Sequence, residues 1–332
     1  MKYRRLGKSD MMVSEIGFGA WTIGLDWWSK KIDDDEAVRM LKRAYDLGIT
    51  FYDTADIYGR GKSEKLIAKA FKEMRNEVVL STKFGYDIYS NTEQIGHQEL
   101  PQKFDEEFIR FALGKSLERL ETDHIDLYSL HNPKMEAIQD DSLFQTLELL
   151  REERKIRHYG AALGPAIGWK EEGTLAMENR NVTAVQTVYN ILEQDPGRDF
   201  FDVAAKADVG IMVRVPDASG VLTGKVDANT VVGKNDHRSF RKREWIIEAL
   251  QKVDNMRPFA ESKGWNITEL AIKFILSEKT LSVVLPTVTS IEELEMFAGI
   301  SDGKYLDAKE YAQVKEMYDN NFYVKVSPPA SS

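Results

Sequence analysis

Asp53, Tyr58, Lys83 and His131 are side chains whose types could together act on a carbonyl group. A phenol alone is a reluctant proton donor near neutrality. A lysine ammonium beside it stabilises the phenolate left behind, and a carboxylate keeps that lysine charged and oriented. A histidine on the far side can donate a hydrogen bond to a carbonyl oxygen, polarising and orienting it. Tyr58 lies five residues past Asp53 in Asp53-Thr54-Ala55-Asp56-Ile57-Tyr58-Gly59, near enough for both to line one pocket. Taken alone, Asp53 and Lys83 read as an ordinary ion pair across neighbouring strands. Joined by Tyr58 and His131 they read as a proton-handling site.

That site exists only if distant segments end at one place. Asp53, Lys83 and His131 each follow a short apolar run: 49–52, 78–82 and 125–130. The rest of the chain alternates in the same way. A strand over 13–20 precedes a helix led by Asp33 to Glu36 with Ala37, Met40, Leu41 and Ala44 on one face. Ser63 is placed to cap the next helix, and Gly61-Lys62-Ser63 reads as capping, not a phosphate loop, because Asp56 stands where the loop needs glycine. Helices over 105–120, 140–153, 171–179 and 200–207 lead to strands over 125–130, 159–162, 184–188 and 210–213. Two helical stretches, 245–263 and 267–277, then precede an eighth strand over 281–285. Eight strands with helices between them predict a (β/α)8 TIM barrel, whose chemistry sits at the C-terminal ends of the strands. An open dinucleotide-binding sheet should show Gly-x-Gly-x-x-Gly after its first strand, and Gly17-Phe18-Gly19-Ala20-Trp21-Thr22 lacks the third glycine. The long connections 84–104 and 215–242 read as lids or ligand clamps, or as mobile.

Composition narrows the setting. With 332 residues, 42% of them hydrophobic, the chain can bury one large core. The net charge of −9 without a basic cluster argues against a nucleic-acid partner. There is no cysteine, and the histidines show no metal-ligand spacing, so neither a thiol nucleophile nor a metal site is expected. No signal-peptide pattern and no run of about 18 apolar residues is present, so the expectation is a soluble, cytoplasmic protein without a membrane partner.

Asp53-Thr54-Ala55-x-x-Tyr58-Gly59, Lys83 at the end of the third strand, and Leu130-His131-Asn132-Pro133 after the fourth resemble the signatures of the aldo-keto reductase superfamily. The resemblance covers roughly residues 3 to 300. It implies a hairpin (3–6 and 13–16) closing the barrel bottom and one barrel over 1–325, while the Pro-Pro-Ala-Ser-Ser terminus predicts a disordered tail over 326–332. It further implies Tyr58 as general acid, Lys83 and Asp53 tuning it, His131 orienting the carbonyl, and a hydride from NAD(H) or NADP(H).

For the cofactor, the resemblance points to Gln186 and Tyr189, to Arg214, Val215 and Pro216, to the loop residues Ser219, Gly220, Leu222, Gly224 and Lys225, and to Thr287, Thr289 and Glu293. Gly160-Ala161-Ala162-Leu163 departs from the family's Gly-Val-Ser-Asn, removing two polar contacts to the nicotinamide carboxamide. Arg214 replaces a stacking tyrosine, and its plane can stack or its charge can reach a phosphate. Glu293 suits a ribose diol better than a 2′-phosphate, whereas Arg238, Arg241, Lys242 and Arg243 could restore phosphate binding, so both nucleotides stay open. Trp21, Trp27, Trp28 and Tyr86 are candidates for the substrate pocket. The implied function is oxidation or reduction between an alcohol and an aldehyde, ketone or sugar aldehyde. The alternative is a cofactor-binding redox sensor or channel-associated barrel with little turnover; the extra N-terminal segment usual in such relatives is not expected here, because the chain starts at the hairpin. The sequence is silent on oligomeric state.

Overall fold

In a computed structural model, which describes residues 1–25, 31–90, 99–164, 169–233 and 236–324, the chain opens with an antiparallel hairpin, β1 (Tyr3–Arg5) and β2 (Met12–Ser14). Parallel strands follow in sequence order around a ring: β3 (Phe18–Gly19), β4 (Phe51–Asp53), β5 (Val79–Phe84), β6 (Ile125–His131), β7 (Ile156–Ala162), β8 (Ala184–Val188), β9 (Gly210–Arg214) and β10 (Leu281–Leu285). A parallel bridge between Ile16 and Val284 joins the two ends of that order. There the Gly17 N–H donates to the Val284 carbonyl and the Val284 N–H to the Glu15 carbonyl, both at 2.8 Å. The fold is a (β/α)8 barrel.

The segment expected as one strand over 13–20 is divided between β2 and β3. The hairpin crosses under the barrel, so the chain must turn at Glu15-Ile16 before it can enter the wall. Glu15 fixes that turn: its carboxylate accepts from Arg4 Nε at 2.6 Å, Ser301 Oγ at 3.0 Å and the Tyr305 hydroxyl. Leu6, Met11 and Val13 of the hairpin join Phe51, Leu127, Ala184, Met212, Val283 and Leu285 in the barrel interior. The barrel is thus plugged from below.

Helices cover the outside because their sequences carry caps at one end and apolar faces along one side. After α1 (Trp21–Gly24), helix α2 (Asp34–Asp46) begins at Asp33, whose carboxylate accepts from the Glu36 N–H, and buries Ala37, Met40, Leu41 and Ala44. α4 (Glu106–Leu120) is capped the same way by Asp105; past α5 (Met135–Gln139), α6 (Asp141–Glu152) is capped by Asp140. Each such cap contributes about 1 kcal/mol. In α3 (Lys62–Phe71), between α2 and α4, Gly61 takes the cap position expected for Ser63. Ser63 lies inside the first turn, where its hydroxyl accepts from Thr54 Oγ1 and donates to the Ala20 carbonyl, both at 2.8 Å. The hydroxyl ties the tops of β3 and β4 together and is not available for the helix end. The ring continues with α7 (Lys170–Asn179), α8 (Gly197–Ala207), α9 (Arg243–Ser262) and α10 (Ile267–Leu276). Two more helices, α11 (Ile291–Ile300) and α12 (Ala308–Asp319), extend the outer layer beyond the sequence reading. The expected tail over 326–332 lies outside the described residues. Among the described residues no helix is long and apolar enough to cross a membrane.

Candidate active site

Side chains alternate in and out along a strand, so the inward set on each strand can be followed upward from the apolar plug. Phe51 leads to Asp53, Ser81 to Lys83, Leu127 to His131, Ala184 to Gln186, and Met212 to Arg214. Above the apolar layer the inward positions therefore turn polar. Lys83 Nζ donates to Asp53 Oδ2 at 2.6 Å and to the Thr54 carbonyl at 2.8 Å. Asp53 also accepts from Ser81 Oγ at 2.9 Å and Gln186 Nε2 at 3.1 Å. Lys83 is 1% exposed and Asp53 5%, so this pair is screened little by water.

Tyr58 reaches the same place from the turn after β4. Lys83 Nζ lies 5.2 Å from the centre of its ring, and the His131 ring stands edge-on to it at 5.9 Å. Gly59 makes the turn possible: its φ is +62°, and a Cβ there would sit 2.4 Å from the Gly24 carbonyl oxygen. His131 is buried, with its pKa well below the usual histidine range, first through loss of solvent and then through the Lys83 and Arg214 charges. Its imidazole is neutral, and Nδ1 has no partner among the described residues.

The connection after β5 folds back on this histidine. Tyr86 stands 5.2 Å from the His131 ring, and its hydroxyl accepts from Asn132 Nδ2 at 2.9 Å. Gln102, missed by sequence reasoning, donates to the carbonyls of His131 and Asn132 at 2.8 and 3.0 Å. Ser81 was also missed, although its place two residues before Lys83 on one strand puts both on the inner face. A further unanticipated cluster backs the wall: Glu64 accepts from Thr82 Oγ1 at 2.7 Å and Arg119 Nε at 2.5 Å. Asp56 is fully buried there with no side-chain partner among the described residues, and burial followed by the Glu64 charge pushes its pKa well above the usual range.

The candidate cofactor residues separate into groups. Gln186 and Arg214 face the mouth; Arg214 Nη2 donates to the Leu163 carbonyl while its shielded Nε has no acceptor. Val215, Ala218 and Ser219 all have positive φ (55°, 48° and 59°), a strained run that continues into Gly220 at 89°. Pro216, Gly220 and Leu222 are buried in this loop, while Gly224 opens to space. Lys225 pairs with Glu293 at 2.6 Å, and Glu293 also accepts from the Thr289 N–H and hydroxyl at 2.7 and 2.8 Å. Thr287 hydrogen-bonds Asp217, a buried carboxyl whose pKa burial lifts to about 6.

Tyr189 does not join them. It lies behind β8, packed on Phe201 and Phe274 with its hydroxyl on Tyr311, because it continues the outward side of the strand. Of the basic segment, Arg238 pairs with Asp236 at 2.7 Å in its own loop, Arg241 reaches Glu193 in the connection after β8 at 2.6 Å, and Arg243 donates to the Ala228 carbonyl at 2.8 Å. Trp21 meets His237 edge-on at 5.7 Å, so this loop reaches from β9 to the β3 side of the mouth. Trp27 and Trp28 lie outside the described residues.

Comparison with known proteins places the chain in one group. The model of the Aldo/keto reductase family matches residues 15–319. The uncharacterized oxidoreductase YqkF of Bacillus subtilis (strain 168) is 27% identical, over 97% of this chain and 98% of its own. The NADH-specific methylglyoxal reductase of Escherichia coli (strain K12) is 26% identical, over 89% and 91%. The holo form of aldo-keto reductase AKR11C1 from Bacillus halodurans superposes with a TM-score of 0.79 at 26% identity, covering 96% of each chain.

Proposed function

The chain belongs to the aldo/keto reductase family and is an NAD(P)(H)-dependent oxidoreductase, and we propose that it reduces small aldehydes, ketones or sugar aldehydes with Tyr58 as the proton donor. The observation that carries this reading is the contact of Lys83 with both Asp53 and the Tyr58 ring. The carbonyl oxygen would lie between the Tyr58 hydroxyl and the neutral His131 imidazole, which donates a hydrogen bond to it. As the oxygen gains negative charge, Tyr58 gives up its proton and the Lys83 ammonium stabilises the phenolate. Asp53 keeps the ammonium charged and aimed, and Ser81 and Gln186 hold Asp53. Tyr86 and the Gln102 bonds set the His131 side of the pocket.

A nicotinamide dinucleotide, when bound, supplies a hydride. The unpartnered Arg214 Nε, the unbonded Asp217 Oδ1 and the left-handed run after β9 fit such a ligand, since unpaired buried polar atoms and strained backbone gather at ligand sites. Gln186 and Arg214 would serve the nicotinamide end, and Val215 to Lys225 with Thr287, Thr289 and Glu293 the remainder. Because Lys225 pairs with Glu293, Arg238 with Asp236 and Arg241 with Glu193, most of the candidate cations are already committed to carboxylates, which favours NAD(H) over a nucleotide with a 2′-phosphate. The curated relative named as NADH-specific supports the same choice.

Tyr58→Phe should lower turnover at least about 10²-fold, the lower end of general-acid contributions, with NADH affinity within about threefold of wild type. Activity surviving at wild-type level would remove Tyr58 from the role. The second reading, a cofactor sensor with little turnover, draws on Ala162 and Leu163, which offer the carboxamide no polar side chain. Tight cofactor binding with no carbonyl reduction across a panel of aldehydes and sugars would favour it.

A further inference from the structure

Arg214 carries a charge that the mouth does not balance. Its shielded Nε has no acceptor, Nη2 rests on a neutral carbonyl, and among the described residues no carboxylate lies within ion-pair distance. The carboxylate that faces it, Asp53, is already committed to Lys83 at 2.6 Å. His131 is neutral, and Ala162 and Leu163 offer no side-chain acceptor. The inner mouth thus holds one uncompensated positive charge, on the strand beside Gln186.

We propose that Arg214 makes the protein discriminate between the redox states of its nicotinamide cofactor, holding the reduced, uncharged ring and disfavouring the oxidised, cationic one. The inference rests on the dinucleotide reading above. Hydride transfer carries an electron pair from the ring to the carbonyl carbon, the Tyr58 proton goes to the oxygen, and an uncharged ring becomes a monocation. Stacking on a guanidinium plane is open to both forms. Repulsion from its charge acts only on the oxidised form, and in a shielded mouth it is far stronger than in water. The protein therefore draws the reduced form from a mixed pool and releases the oxidised form readily. The same preference makes the bound pair harder to oxidise than the free one.

The test is titration of wild type, Arg214→Met and Arg214→Lys with NADH and NAD+, and with NADPH and NADP+, by calorimetry. In wild type the reduced form should bind at least about tenfold tighter. Arg214→Met should cut that ratio about tenfold, mainly by tighter binding of the oxidised form, and Arg214→Lys should retain it. A wild-type ratio near one, or equal weakening of both forms in Arg214→Met, overturns the proposal. If Arg214→Met does not fold, the wild-type ratio and its retention in Arg214→Lys still decide. Turnover is scored separately: an inactive wild type with a large ratio sinks the reductase reading and leaves this one standing.

Discussion

Removing the Lys83 cation should be costly for folding as well as for catalysis. In Lys83→Met the buried Asp53 carboxylate keeps its bonds from Ser81 and Gln186 but loses its counter-charge. Breaking a buried pair by deleting one partner costs about 3–5 kcal/mol, chiefly from the stranded charge. Unfolding entropy of about 2.1 cal/mol/K per residue gives a chain of 332 residues about 0.7 kcal/mol/K, so Tm should fall by about 4–7 °C. Asp53→Asn, which strands Lys83 on the Thr54 carbonyl, should fall by a similar amount. The double variant Lys83→Met/Asp53→Asn removes both charges and should be less destabilised than the sum of the singles, by about 1–3 kcal/mol. Differential scanning calorimetry on the four proteins closes the cycle. Singles within 1 °C of wild type, or strict additivity, would refute the claim that the pair is dry and mutually dependent.

Two further outcomes follow from the same geometry. Gly59→Ala forces a Cβ against the Gly24 carbonyl in a left-handed turn, and should cost about 2–4 kcal/mol in urea unfolding while displacing Tyr58 and lowering turnover; wild-type stability would mean the turn has slack. Asp217, with its pKa raised to about 6 in the fold, binds a proton that the unfolded chain has already lost, so it lowers stability as pH rises from about 4 to above 6. Replacing it in Asp217→Asn abolishes that slope: Tm of the variant relative to wild type should climb by up to about 4 °C between pH 4 and pH 7, from about 3 kcal/mol of linkage. A flat or falling difference would contradict it.

Local signals were read well where the relevant chemistry is local. The strands 184–188 and 281–285 match observation because turn residues bracket short β-branched runs, and Asp105 and Asp140 announce their helices by capping them. Three of the four candidate catalytic residues, Asp53, Lys83 and His131, were visible because each follows an apolar run, and Tyr58 because it lies five residues past Asp53 in the same turn. What escaped depends on distance. Gln102 meets the end of β6 only because the loop after β5 doubles back, and nothing near residue 102 signals it. Asp56 lies in the turn after β4, and the charges beside it come from Glu64 on α3 and Arg119 on α4, which no pattern around residue 56 shows. The side of the strand to which Tyr189 belongs could have been inferred from Gln186, three residues earlier on the inner face, but the motif drew attention to the mouth. The break at Glu15 reflects partners near residue 300, out of range of any local pattern.

Those Glu15 contacts bear on how the protein is made. The wall is joined by residues 16 and 284, and the turn beside that seam is held by 301 and 305, so the last contacts to form link positions nearly 290 apart. A chain still emerging from the ribosome can lay down β3 to β9 in order, but it carries two unpaired sheet edges until almost the whole sequence has been translated. The vulnerable species is therefore the nearly finished nascent polypeptide, and slow synthesis of the segment from residue 215 to 284 prolongs its exposure.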